Sequence, residues 1–244
     1  MSHHLVSARN LEHRYPDGTQ ALRGLSFEVH HGEAVAVIGG NGAGKSTLLL
    51  HLNGLLAPSA GEVRIGDLPV TRATLAEVRR SVGFIFQDPD DQLFMPTVAE
   101  DVAFGPLNLG LAGPEVDARV RDALGQVGAA HLASRPPYRL SGGEKRAVAI
   151  AGVLAMSPSI LVMDEPSSGL DPAARRRLIG LLRGFSHTRI IATHDLDLVL
   201  EVCSRVLVLE DGRLRADGPP PAIFADRALL AECRLEPPLG WCRR

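Results

Sequence analysis

The chain has 244 residues, 45% apolar and 22% charged, and its 26 basic and 28 acidic side chains leave a formal charge of −2. That length supports one globular unit with a real core, and the balance excludes disordered, fibrous and disulfide-stapled classes and any global basic signature for nucleic acid or anionic lipid. Three cysteines, Cys203, Cys233 and Cys242, are too few for a disulfide framework, lack metal-ligand spacing and fit a reducing compartment.

In chain order, Phe27 to His30 and Ala34 to Ile38 read as β-rich runs divided by His31 and Gly32, which predicts adjacent strands. Leu48, Leu49, Leu52 and Leu55 recur at helical spacing and predict a helix over Ser46 to Leu56. Short strands follow at Glu62 to Ile65 and Val82 to Phe86. From Asp88 to Pro137 the sequence becomes helix-leaning and Pro-punctuated, with Val116, Val120, Leu124 and Val127 on one face of Glu115 to Val127, and reads as a helical lobe inserted into an α/β core. The longest apolar stretch, Ala147 to Met163, is broken by Ser157, Pro158 and Ser159, short of the roughly 20 residues of a membrane span. With no signal pattern at the N-terminus, a soluble or peripheral protein is expected. Strands resume at Ile160 to Met163 and Arg189 to Thr193, with a helix from Pro172 to Phe185 between them. Arg205 to Leu209 and Arg213 to Ala216 predict a hairpin through Asp211 and Gly212. The run Pro219 to Pro221 reads as a separator before a short amphipathic tail.

Gly39-Gly40-Asn41-Gly42-Ala43-Gly44-Lys45-Ser46-Thr47 matches the phosphate-loop pattern G-x-x-x-x-G-K-[ST] between a predicted strand and a predicted helix. Its glycines let backbone N–H groups converge on an oxyanion at a helix N-terminus. Only Lys45 and Lys145 are lysine, against twenty-four arginines; a mobile point charge suits the β- and γ-phosphates better than a rigid fork does. Lys45 is expected to face solvent when no nucleotide is bound, and Ser46 to ligate Mg²⁺.

Ile160 to Met163 ends in Asp164 and Glu165. Alone this is a common solvated strand end; beside a phosphate loop, Asp164 would hold the Mg²⁺ shell and Glu165 would take a proton from the attacking water. His194 after the Arg189 to Thr193 strand would contact the γ-phosphate and orient Glu165, or is a hydrogen-bonded loop residue. Leu140-Ser141-Gly142-Gly143-Glu144 opens a helix, where Ser141 and Glu144 have capping-box spacing and the same open N–H groups would suit a phosphate.

With Lys45, Ser141 to Glu144, Asp164-Glu165 and His194 in this order, the chain resembles the ATP-binding cassette of ABC transporters over residues 5 to about 218. The resemblance implies an α/β fold, a P-loop NTPase core with an antiparallel β lobe and an inserted helical lobe at about 88–158, and sets residues 219–244 apart as a tail. It implies ATP and Mg²⁺ as cofactors, with Ser46, Gln87 and Asp164 around the metal. Tyr15 is similar to the adenine-stacking aromatic, with a surface strand residue as the alternative, Gln87 to the glutamine that touches Mg²⁺ and water, and Ser168-Gly169-Leu170-Asp171 to the loop that crosses the dimer seam. Such cassettes pair head to tail, so Lys45, Glu165 and His194 would share an ATP with the partner copy's signature. Gly40 and Glu144 stand where the wider family varies or favours glutamine.

The stretch from Phe86 through Pro106 is similar to the ATPases of energy-coupling factor importers. That resemblance implies a transmembrane coupling subunit and a substrate-binding membrane subunit as partners, a peripheral place on the cytoplasmic face of the membrane, and cobalt or nickel as cargo, with a vitamin as the alternative. A soluble ABC ATPase acting on nucleic acid or ribosome is a second reading, disfavoured by the single neutral cassette. A module without turnover is a third, disfavoured by Glu165 and His194. Asp88, Asp90 and Asp91 read as a solvated acidic loop, and Arg175-Arg176-Arg177 as a solvated face; His3-His4 and His30-His31 show no ligand geometry.

Overall fold

Two sheets carry the chain, and burial pattern decides which strand joins which. The computed structural model describes residues 4–239 and 241; His3 and Cys242 lie outside them. β1 (His4–Arg14) and β2 (Gln20–His30) pair antiparallel. Along β2, Leu25, Phe27 and Val29 point inward between exposed or half-exposed neighbours, as a sheet with one wet face requires. β3 (Ala34–Ile38) is buried at every position and lies in the other sheet between parallel partners. The two runs predicted as adjacent therefore belong to different sheets, and the turn at Gly32, φ 80°, carries the chain across.

α1 (Lys45–Leu52) stops one turn earlier than predicted, because Gly54 at φ 68° ends it and leaves Leu55 43% exposed, off the buried face of Leu48, Leu49 and Leu52. β4 (Ala60–Ile65) and β5 (Leu68–Pro69) complete the first sheet in the order β2-β1-β4-β5. α2 (Leu75–Ser81) leads into β6 (Val82–Ile85). The helical insertion follows as α3 (Val98–Asn108), α4 (Gly113–Gln126) and α5 (Gly142–Leu154). Capping boxes at Thr97/Glu100 and Ser141/Glu144 start α3 and α5.

β7 (Ile160–Asp164), α6 (Pro172–Gly184), β8 (Thr188–Ala192), α7 (Leu196–Val202), β9 (Arg205–Glu210) and β10 (Arg213–Gly218) complete the second sheet, ordered β10-β9-β3-β8-β7-β6 with only β10 antiparallel. Its two faces follow the period of two. Val35, Val37, Ile160, Val162, Ile190 and Leu207 pack with α1 and the first sheet, whereas Leu161, Met163 and Ile191 pack with the helical insertion.

The C-terminal segment corrects one expectation. Pro220 opens α8 (Pro220–Ala225), where a missing N–H costs nothing, so the proline run starts a helix instead of spacing one off. Ile223 and Phe224, with Leu230 and Cys233 of α9 (Arg227–Glu232) and its end, bury against Ala36, Ile38, Val206 and Val208.

Candidate active site

β3, β6, β7 and β8 run parallel, so their carboxyl ends open on one edge, where ligands of parallel α/β sheets bind. The phosphate loop follows β3, Gln87 follows β6, Asp164 and Glu165 end β7, and His194 follows β8. A cleft of about 680 Å³ results, lined by Tyr15, residues 41–47, Gln87, Glu165 and His194.

The loop needs its glycines for space. A Cβ on Gly39 would lie 2.2 Å from the Leu209 carbonyl oxygen, and one on Gly44, φ 101°, 2.7 Å from that of Ala21. Gly44 also caps α1 without a side chain, leaving the helix N-terminal N–H groups open toward the cleft. At Gly40 a Cβ would meet only ordinary contacts at 3.5 Å.

Lys45 does not face solvent. It is 8% exposed, and its ammonium donates to the Gly39 carbonyl (2.9 Å), the Gly40 carbonyl (3.2 Å) and His194 Nε2 (3.1 Å). The two loop carbonyls supply acceptors in place of part of the water the ammonium gives up at that depth. Burial pushes Lys45 below the ordinary lysine value, while Glu165 and Asp164 pull it back up. Because an ammonium faces Nε2, that nitrogen accepts and the ring proton is assigned to Nδ1.

Glu165 sits at φ 46°, in the left-handed region, held by its N–H on the Ala192 carbonyl at 2.9 Å. Its Oε2 accepts the backbone N–H of His194 at 3.1 Å, and its Oε1 lies 3.4 Å from His194 Nε2. Asp164 Oδ1 and Glu165 Oε1 are buried acceptors without a partner. Burial pushes the Asp164 carboxyl up, and the Ser46 hydroxyl, Lys45, Arg146 and His194 oppose this. The orphaned Asp164 oxygen shares one recess with the Ser46 hydroxyl and the Gln87 amide, an oxygen donor set that suits a hard ion, so Mg²⁺ fits here. Among the described residues no cluster of three or more His, Cys, Asp or Glu could hold a metal alone.

Tyr15 closes the far end of the cleft, its hydroxyl 3.0 Å from Thr47 Oγ1. Behind it lies a buried histidine pair invisible in the sequence: His51 Nδ1 donates to the Thr47 carbonyl (2.7 Å), and His51 Nε2 meets His13 Nδ1 at 3.2 Å. Burial pushes His51 below the usual histidine value. On the other flank Arg146 donates to the Phe86 carbonyl (2.8 Å) and the Gln87 carbonyl (2.5 Å), fixing the backbone that carries the Gln87 amide. The acidic loop is exposed at Asp88, Asp90 and Asp91, as a solvated loop requires, and Asp90 pairs with Lys145 at 2.6 Å.

Leu140 is buried, whereas Ser141 and Gly142 are exposed at the start of α5, and residues 140–144 do not line the cleft of their own chain. The capping box is formed: Glu144 Oε2 accepts the Ser141 N–H at 2.8 Å, and these bonds hold the Glu144 carboxyl below its ordinary value. Ser168 N–H donates to the Glu165 carbonyl (3.1 Å), Gly169 takes φ 72°, Leu170 reaches toward Gly143, and Asp171 caps α6. Thr19, Gln20, Ala21, Ser167 and Asp195 also line the cleft and were not read from the sequence. Asp195, next to His194 and three before Leu198, carries the one legible signal, that of a helix N-cap. Arg176 and Arg177 are exposed, as a solvated face requires, Arg176 pairing with Glu201 (2.9 Å), whereas Arg175 is half-buried and pairs with Asp195 (2.6 Å).

A phosphate loop, paired carboxylates and a facing histidine on one parallel-sheet edge define a P-loop nucleoside triphosphatase. The ABC transporter family model matches residues 22–168. A protein of Geobacter sulfurreducens assigned to the ABC transporter ATP-binding proteins is 70% identical over 98% of this chain and 96% of its own length. The energy-coupling factor transporter ATP-binding protein EcfA of Methanocaldococcus jannaschii is 48% identical over 96% of this chain and 86% of its own. The solved structure of cbiO1 from Clostridium perfringens, part of the ABC transporter complex cbiONQ, superposes with a TM-score of 0.82 at 40% identity, covering 95% of this chain and 94% of that one. The chain belongs to the ABC transporter ATP-binding family and is an ATPase that hydrolyses ATP to power transport.

Proposed function

We propose that the chain is the ATPase of an energy-coupling factor importer and works as a head-to-tail homodimer. The observation that carries the pairing is the split of the machinery: Lys45, Glu165 and His194 line one cleft, and the signature Ser141 to Glu144 stands outside it, with Ser141 and Gly142 exposed. Both halves are intact, so two copies could complete two equivalent sites. Residues 1–218 would form the ATP-binding domain, with a helical lobe at about 88–158, and 219–244 an appended tail.

In this reading the 41–47 loop and Lys45 bind the phosphates, Tyr15 stacks on adenine, and Ser46, Asp164 and Gln87 hold Mg²⁺. Held there, the ion would neutralise charge developing on the phosphates. Glu165 accepts the proton of the attacking water, and His194, bonded to Glu165 through its backbone, orients that carboxylate and contacts the γ-phosphate. Ser141, Gly142 and Gly143 serve the partner copy's ATP across the seam formed by residues 168–171.

No described helix is long and apolar enough to cross a membrane, so transport calls for separate membrane subunits, and the chain would sit peripherally on the cytoplasmic face. Phe94 (63% exposed) and Phe104 (38%) edge a groove of about 310 Å³ between β6, α3 and α5, and a helix of the coupling subunit would fit that apolar edge. Likeness to EcfA and to cbiO1 supports the energy-coupling factor assignment. For the cargo we favour cobalt or nickel over a vitamin, because a self-sufficient site suits an importer run by one kind of ATPase. Loss of labelled cobalt or nickel uptake on deleting the gene is expected; loss of vitamin uptake alone would overturn the cargo and leave the ATPase standing.

A further inference from the structure

The arginine triplet at the start of α6 contains one residue that is tied to the chemistry without reaching it. Arg175 Nε donates to Asp195 Oδ2 at 2.6 Å and Nη2 to Oδ1 at 2.8 Å, a two-pronged bond that a lysine could not reproduce. Asp195 Oδ1 also accepts the Leu198 N–H at 2.9 Å, capping α7, and the Ser167 hydroxyl bonds the same carboxylate. One carboxylate thus gathers donors from three segments: the turn after Glu165, the helix after the 168–171 loop, and the helix after His194.

The backbone on either side of His194 is closed by the same residue, since the Asp195 N–H donates to Thr193 Oγ1 at 3.0 Å. His194 therefore rides on a pinned segment, with its N–H on Glu165 and its Nε2 under the Lys45 ammonium. Arg175 does not line the cleft, and its own N–H is bonded to the Asp171 carbonyl one turn below, so it belongs to the rigid start of α6. Glu201, 3.8 Å away, steadies the guanidinium from α7. Burial pushes the Asp195 carboxyl up, but Arg175 and the Leu198 N–H prevail and keep it below the ordinary value, so the grip is one between full charges.

We propose that Arg175 is a positioning residue for ATP hydrolysis: by clamping Asp195 it holds His194 in register with Glu165 and Lys45, and it ties that register to the 168–171 loop. The inference rests on the reading of His194 and Glu165 as hydrolytic residues. A displacement near 1 Å at such a site costs up to about 100-fold in rate, and the clamp is one bond network removed from the reacting atoms.

The test is steady-state ATPase and ATP-binding calorimetry on the full chain and on Arg175→Met, Arg175→Lys, His194→Ala and the His194→Ala/Arg175→Met double variant, with melting curves on each. Arg175→Met is expected to lower kcat roughly 10- to 100-fold with ATP affinity unchanged, Arg175→Lys to recover part of it, and the double variant to be no slower than His194→Ala alone. Losses that multiply in the double variant, or wild-type kcat in Arg175→Met beside an inactive His194→Ala, overturn the clamp alone. Wild-type turnover in His194→Ala overturns the site reading and the clamp with it. If Arg175→Met melts early, Arg175→Lys, which keeps the charge, carries the same comparison.

Discussion

Lys45→Met separates what the buried ammonium does for the nucleotide from what it does for the fold. Methionine keeps a comparable unbranched stem and removes the charge that now bonds the Gly39 and Gly40 carbonyls and His194 Nε2. For ATP the loss is of charge-assisted hydrogen bonds to the phosphates, about 1.5–3 kcal/mol, or roughly 10- to 150-fold in Kd. For the free protein two effects oppose. The carbonyls lose a donor, at about 1–3 kcal/mol, but burying the ammonium is itself unfavourable, as its lowered pKa records. The melting temperature should therefore stay within about 4 °C of wild type. The pH dependence has a definite sign: a lysine whose folded pKa lies below 10.5 contributes stability that is complete above 10.5 and is lost as pH falls through the folded value. Wild type should thus gain on Lys45→Met as pH rises toward 10.5. Calorimetric titration with ATP and denaturant melts from pH 7 to 10.5 measure both; unchanged ATP affinity refutes the phosphate-loop role, and a collapse in melting temperature refutes the balance between lost hydrogen bonds and relieved burial.

Glu165→Gln should keep ATP binding, lose roughly 10²–10⁴-fold in turnover, and accumulate an ATP-bound dimer by light scattering; wild-type turnover would show that Glu165 is not the base. Asp164→Asn should abolish Mg²⁺-dependent hydrolysis yet raise stability at pH 7, because burial raises the Asp164 pKa and its charge is a cost there; urea melts should show the gain shrinking as pH falls through the raised folded value and gone below 3.8, where the carboxyl is protonated in both states. His51 has a folded pKa below 6.5, so its contribution is present above 6.5 and lost on acidification; His51→Gln should flatten the fall in stability below pH 6.5, and an unchanged slope would place that fall elsewhere.

What could be read from the chain follows from how locally each feature is encoded. The phosphate loop and the Asp164-Glu165 strand end are contiguous, and their strand–loop–helix context comes with them, so both were legible and the structure brings them together. Sheet membership was not: β2 and β3 are three residues apart yet lie in different sheets, and only full burial of β3 against one-sided burial of β2 tells them apart. His13 and His51 stand 38 positions apart and Arg175 and Asp195 twenty, so neither pairing leaves a local pattern. Arg175 was further disguised by two arginine neighbours. Lys45 was read for charge alone, and the carbonyls that bury it exist only once the loop has folded.

The central claim is that each ATP is hydrolysed by groups from two copies of the chain, and mixing two inactive variants tests it directly. Glu165→Gln keeps its signature and loses the base; Gly142→Asp keeps the base and places a carboxylate at the signature, where a Cβ meets nothing of its own chain within 4 Å and an acidic side chain suits the helix start. Each alone should be nearly silent. Mixed in equal amounts, half of the pairs are heterodimers with one intact site of two, so activity should recover to about a quarter of wild type. Mixtures as inactive as their components, with heterodimers verified, would contradict a shared site.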